Sequence, residues 1–223
     1  MPTGCEPQSA GLWLKERSVI PLPDHTLWAL ILFSFVSSFT PGPNNMMLLA
    51  SGVNFGWRRT VPHMLGVGLG FTFMVLLIGL GLGKVFTLWP LLYTILKVVG
   101  ATYLLWLAWK IAQSGPVGEG GGVVGRPMTF LGACAFQWVN PKAWMMAVTA
   151  VAAYPVSPDP LWNAAVVAVV FGVVNLPCVS SWVMFGVGLR QLLNDPVRVR
   201  IFNGVMALLL VASLWPMFAE LRT

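Results

Sequence analysis

Charge is scarce in this chain. Only 9% of its 223 residues are Asp, Glu, Lys or Arg, where an ordinary soluble domain carries roughly 25%. A soluble fold of this length could not cover its surface with so few charges, and the mean hydropathy of +0.78 points the same way. A cytosolic enzyme, a nucleic-acid-binding domain and a disordered protein are all poor fits. Acids are scarcer still: Asp and Glu number seven, and none falls inside a long apolar run. Hard cations want several carboxylate oxygens, and the runs offer none. The three cysteines, Cys5, Cys134 and Cys178, have no paired spacing, so neither a zinc site nor a disulfide framework is implied. With only two histidines and no acid in an apolar run, no nucleophile–base set is legible. We expect no catalytic residues, no cofactor and no resident metal. The net charge of +6 would suggest nucleic acid in a soluble protein, but no basic stripe with interleaved aromatics occurs.

What is there instead is six long apolar runs, at about 27–51, 61–83, 87–112, 128–154, 161–189 and 201–218. Each is long enough to cross a hydrocarbon core of roughly 30 Å, and none shows the alternation of a barrel strand. The expected fold is an all-α integral membrane protein of six transmembrane helices. The glycine-rich segment 113–127 joins halves at about 27–112 and 128–219 of a domain covering 27–223. Residues 1–26 read as a polar extension. Met1–Pro23 lacks the apolar core and cleavage site of a signal peptide, leaving a polar tail or an upstream start codon as its two readings. One set of loops and helix ends collects Arg58, Arg59, Lys110, Arg126, Arg190, Arg198 and Arg200; the other collects Lys15, Arg17, Lys84 and Arg222. The positive-inside rule places the first set in the cytoplasm and both termini outside.

Two runs are broken where a membrane helix should be continuous. The first contains Pro41-Gly42-Pro43-Asn44-Asn45; at 1.5 Å per residue from Leu27, Pro41 lies roughly 21 Å in. The fourth contains Gln137 and then Asn140-Pro141-Lys142 at a similar depth. Helix breakers inside the bilayer are tolerated only within protein or beside a cavity. A lysine there costs at least ~2.5 kcal/mol unless it faces a cavity or a partner. With no acid in any run to pair with it, Lys142 is placed to await an anionic group on a solute; the competing reading is a snorkelling side chain. Aligning Pro43 with Pro141 puts one break in the first helix of each three-helix half, and an odd number of helices gives the halves opposite orientation. The expectation is therefore two inverted repeats with broken first and fourth helices, the arrangement that marks the substrate site of many secondary transporters.

Other features read less sharply. Asn175 and Pro177 interrupt the fifth run, as a further site element or as a plain kink. His63, near the start of the second run, is either a packing residue or, with Lys142, a proton-coupling candidate. Gly66, Gly68 and Gly70, and Gly79, Gly81 and Gly83, allow close helix packing. Gly83-Lys84 lacks the remaining residues of a phosphate loop.

The stretch Phe39–Phe71 (FTPGPNNMMLLASGVNFGWRRTVPHMLGVGLGF) resembles the first signature of the LysE/RhtB family of bacterial amino-acid exporters. Gly100–Lys110 (GATYLLWLAWK) and Phe136–Trp144 (FQWVNPKAW) match in order and spacing, and the likeness runs from about Leu27 onward. It is nearest the RhtB branch, whose members export homoserine, threonine, leucine or cysteine-pathway metabolites. The resemblance implies an inner-membrane exporter of a small, neutral amino acid or close derivative, driven by the proton gradient. The solute would be held by Pro41, Gly42, Pro43, Asn44, Asn45, Gln137, Asn140, Pro141, Lys142 and Asn175. Expected partners are the amino acid, protons and membrane lipid, with no nucleic acid; a homo-oligomer is compatible with these features. The alternative is a metal-ion or other small-metabolite transporter of a related membrane family.

Overall fold

The computed structural model describes residues 24–83, 88–113, 126–193 and 195–215. Met1–Pro23, Lys84, most of the glycine-rich linker and Arg222 lie outside the described residues. Seven α-helices and one π-helical turn make up the described fold. They are α1 (Asp24–Phe39), α2 (Pro43–Leu77), the π-helical turn Ile78–Leu82, α3 (Pro90–Ala112), α4 (Phe130–Val139), α5 (Pro141–Ala153), α6 (Pro160–Leu192) and α7 (Pro196–Ala212).

Five of these helices start with proline in the first turn, at Pro43, Pro90, Pro141, Pro160 and Pro196. There the missing N–H costs nothing and the fixed φ suits the helix. Thr129, Asn140, Asp159 and Asp195 stand just before α4, α5, α6 and α7, and each side-chain oxygen accepts a backbone N–H of the first turn. Prolines and caps thus set most of the helix starts.

Both expected breaks are present. α1 stops at Phe39 and α2 begins at Pro43, with Gly42 extended between them (φ −172°, ψ 176°). α4 stops at Val139 and α5 begins at Pro141, with Asn140 extended between them (φ −89°, ψ 108°).

Two sequence expectations need correction. The loop expected over Asn54–Thr60 is helical on both sides of one residue, Gly56, whose φ of 76° and ψ of 176° only glycine adopts readily. The chain turns sharply back there. Ser51 Oγ and Thr60 Oγ1 hydrogen-bond at 2.9 Å, although nine residues of straight helix would rise roughly 13.5 Å. The arginines between the last two runs lie at helix ends, as expected: Arg190 is in the last turn of α6, and Arg198 and Arg200 are in the first turns of α7. Lastly, the helix of the fifth run continues through Asn175 and Pro177 rather than breaking.

α2 and α6 form the centre, with α1 packed on α6, α4 on α2, and α3 on α7. Small residues let backbones approach: a Cβ at Gly52 would stand 2.5 Å from Val183 O, and one at Gly70 would stand 2.7 Å from Cys134 Cα. Outside this core the surface is apolar, with Trp28, Leu32, Leu69, Phe73, Val173 and Leu208 more than half exposed. The stretches Pro43–Leu82, Thr94–Ala112 and Pro160–Leu192 are long and apolar enough to cross a membrane. The protein is a multi-pass, all-helical membrane protein.

A buried amide pair links α2 to α7. Asn54 Nδ2 donates to Asn203 Oδ1 at 2.9 Å, and Asn203 Nδ2 donates back to Asn54 Oδ1 at 3.2 Å. Interhelical polar pairs in membrane proteins are typically worth ~0.6 kcal/mol and at most ~1.7. A double-mutant cycle of Asn54→Ala and Asn203→Ala, read by thermal unfolding in detergent, should return a coupling in that range; additive losses would show that the pair does not act as a unit.

Candidate functional site

The two helix breaks, about a hundred residues apart in sequence, meet at one cavity. Gly42, Asn44 and Asn45 line it from the first break, Asn140 and Lys142 from the second, and Asn175 from the middle of α6. Ser37, Ser38, Phe71, Ala143, Met146 and Val179 complete the wall. Six of the ten residues expected to hold the solute therefore share one small space. The continuous helix at Asn175 supplies a wall amide rather than a third break.

The polar groups are arranged in order around the first break. Asn45 is buried and its Nδ2 donates to Ser38 O and Thr40 O, both at 2.8 Å, closing the carbonyl end of α1. Thr40 Oγ1 donates to Val36 O in the same turn. Lys142 crosses from the second break: its Nζ donates to Thr40 O at 2.6 Å and to Pro41 O at 3.3 Å. Its aliphatic stem lies over Gly42, where a Cβ would come within 2.6 Å of Lys142 Cδ. Among the described residues the partners of its ammonium are backbone carbonyls rather than an acid. The lysine caps the open carbonyl end of α1, where negative helix-end charge gathers.

Gln137 serves a different purpose. Its side chain exchanges hydrogen bonds with Asn44, with Asn44 Nδ2 donating to Gln137 Oε1 at 2.8 Å and Gln137 Nε2 donating to Asn44 Oδ1 at 3.2 Å. Gln137 Nε2 also donates to Ala133 O at 2.9 Å, and the residue is fully buried. This pair ties α2 to α4 and sits in the wall behind the cavity. Asn140 accepts Lys142 N at 3.1 Å through its Oδ1, so it caps α5 while its residue lines the space. Asn175 is buried at 4% exposure and lines the cavity, its side chain without a hydrogen bond among the described residues. Pro41 and Pro43 shape the break, and Pro41 also supplies one carbonyl to the lysine.

The cavity is small, about 20 Å³, room for roughly one water molecule. Lys142, held on the Thr40 and Pro41 carbonyls, forms part of its wall. Gly42→Ala tests this contact: the added methyl forces the lysine stem aside and loses a charge-assisted bond worth ~1.5–3 kcal/mol. We expect solute turnover to fall roughly tenfold, with the melting temperature little changed. Unaltered turnover would mean that the lysine position is immaterial.

His63 is elsewhere. It is 1% exposed, and neither ring nitrogen has a hydrogen-bond partner among the described residues. It lines a second cavity of about 300 Å³, between α2, α3 and the start of α4. Nothing in the sequence flags that cavity, because its residues come from four separate apolar runs and the segments between them. The wall hydroxyls of Ser37 and Ser38 were likewise illegible: serines one turn from a break look like ordinary membrane-helix serines.

Comparison with known proteins fits these observations. Residues 35–213 match the family described as LysE type translocator. The cysteine/O-acetylserine efflux protein of Escherichia coli (strain K12) is 32% identical over 189 residues, covering 83% of this chain and 93% of the relative. The protein of that name from Shigella sonnei (strain Ss046) is similar to the same degree, and that from Escherichia coli O139:H28 is 31% identical over the same span. No solved structure matches. The match spans both helix breaks and every helix but the first turns of α1, and the chain belongs to the LysE type translocator family.

Proposed function

We propose that this protein is a secondary transporter that exports a small neutral amino acid or a close derivative across the bacterial inner membrane. Cysteine and O-acetylserine are the first solutes to try, since relatives covered over most of their length are named for their efflux. One observation carries the reading above all: both helix breaks bring their polar ends, three asparagines and one lysine to a single cavity in an apolar protein.

The chemistry suits a zwitterion. A solute carboxylate would draw the Lys142 ammonium, and a solute ammonium would take the Thr40 and Pro41 carbonyls that the lysine leaves. Asn44, Asn45 and Asn175 offer amides to a polar side chain or ester. The matched breaks, each followed by a proline at a helix start, support two inverted three-helix repeats rocking about this point. Arg190 packs against the Gly56 turn next to Arg58 and Arg59, which supports a shared cytoplasmic face for the arginine-rich loops and termini outside. Coupling to protons would run through His63 or Lys142, which line the two cavities.

Counterflow in proteoliposomes with a panel of labelled amino acids tests the reading. Saturable exchange of a few small neutral amino acids is the expected result. No exchange across the panel, from protein shown to be folded, would overturn it.

A further inference from the structure

The second cavity has features of a binding site in its own right. Its volume of about 300 Å³ falls at the lower end of the roughly 300–1,000 Å³ of small-molecule sites, whereas the cavity at the helix breaks is far below it. Two cations stand on its wall, Lys110 at the end of α3 and Arg126 just before α4, and its described lining residues include no Asp or Glu. Tyr103 and Ser51 add hydroxyl groups, and Trp106 lies beneath the Lys110 ammonium at 4.9 Å. His63 contributes a buried imidazole with both nitrogens unpartnered. A buried ring in that condition is unusual unless something else supplies the hydrogen bond.

The two cavities are neighbours. Asn44 lines one, and Met47, a single turn further along α2, lines the other. Gly132 of α4 lines the larger cavity, and its neighbour Ala133 accepts from Gln137, the partner of Asn44. The reciprocal Asn44–Gln137 amide pair therefore stands between them.

We propose that this cavity is a loading site for a carboxylate-bearing small solute, held by Arg126 and Lys110 against Tyr103 and His63, before it passes the Asn44–Gln137 pair to the helix breaks. The identity of the solute, an amino acid, rests on the carrier reading above; the site itself rests on its size, charge and unpartnered imidazole. Arg126 and Lys110 face a solute that carries negative charge, and their place in the arginine-rich set puts the site on the side from which export begins.

The probe is labelled L-cysteine under reducing conditions, bound to the full chain in nanodiscs. The variants are wild type, Lys142→Ala, and the double variant Arg126→Gln/Lys110→Gln. Both cations are exposed residues, so the double variant should keep its fold, which a melting curve checks. Expected are saturable binding retained in Lys142→Ala, at least tenfold weaker binding in the double variant, and no competition by cysteamine, which lacks the carboxylate. The site is overturned if wild type shows no saturable binding, if Lys142→Ala removes it all, if the double variant binds as wild type does, or if cysteamine competes as well as cysteine. Counterflow run in parallel separates this from the carrier reading. Binding that depends on Arg126 and Lys110 without wild-type counterflow would sink the carrier and keep the site. Counterflow with binding indifferent to both cations would do the reverse.

Discussion

Lys142→Ala is expected to cut counterflow severely in a protein that remains folded. Lys142 Nζ donates a hydrogen bond of 2.6 Å to Thr40 O, and it is the cation that a solute carboxylate would meet. Bonds to charged groups are worth ~1.5–3 kcal/mol and gain strength away from water. Losing one at the point of binding should lower the rate roughly a hundredfold. The fold should survive because Asn45 still donates to Ser38 O and Thr40 O, so the end of α1 keeps a cap. Lys142→Arg is the informative companion. It keeps the charge, but a planar guanidinium cannot sit over Gly42 as the narrow lysine stem does. Partial recovery of transport by arginine would assign the loss to charge, and none would assign it to shape. A large fall in melting temperature with transport intact would make Lys142 a structural cap and nothing more.

The second large effect concerns assembly. At Gly52 and Gly186 the first limb of α2 and the helix α6 meet backbone to backbone. A Cβ at Gly186 would collide with Leu49 O and stand 3.1 Å from Gly52 Cα, and one at Gly52 would stand 2.5 Å from Val183 O. These neighbours are main chain and cannot swing aside as a flexible side chain can. Overpacking typically costs ~1–3 kcal/mol and occasionally more, and a rigid backbone contact belongs at the upper end. Gly186→Val should therefore yield little monodisperse protein by size-exclusion chromatography in detergent, and Gly52→Ala should lower the melting temperature clearly. Gly188→Ala and Gly204→Ala are matched controls, since nothing lies within 4 Å of a Cβ at either position; both should behave as wild type. Equal behaviour of all four variants would refute the close approach. The contact matters for the site because α2 carries Asn44 and Asn45 while α6 carries Asn175. Prising these helices apart moves opposite walls of one cavity.

The helix breaks were legible in the sequence because proline acts locally. Pro41-Gly42-Pro43 and Asn140-Pro141 interrupt a helix whatever surrounds them, and an isolated lysine in an apolar run announces a cavity. The turn at Gly56 was not legible at its true sharpness. A single glycine followed by Trp57, Arg58 and Arg59 reads as a polar loop, while the reversal is held by Ser51 and Thr60, whose contact forms only once the chain has turned. Arg198 and Arg200, read as residues at a loop or helix end, fall in the first turns of α7, where Asp195 and Pro196 supply cap and proline. Hydropathy locates segments in a bilayer, whereas caps locate helix ends, and the two differ by several residues where a helix emerges into water. The larger cavity was invisible because no motif marks it; its residues become neighbours through packing alone.

The resting position of Lys142 bears on electrical tightness. Open carbonyl oxygens around a polar cavity are the groups that strip water from sodium and potassium in selective pores. An exporter that returns empty would expose such oxygens at each cycle while the membrane potential pulls inorganic cations inward at ~2.3 kcal/mol per charge for each 100 mV. Here the Thr40 and Pro41 carbonyls are occupied by a tethered ammonium, a plug of the right sign. On the proposed function, a zwitterion would remove that plug by offering one charge to the lysine and the other to the oxygens it leaves. A bare metal ion would have only half of that exchange to offer, and the ionic gradients of the cell would be spared a short circuit.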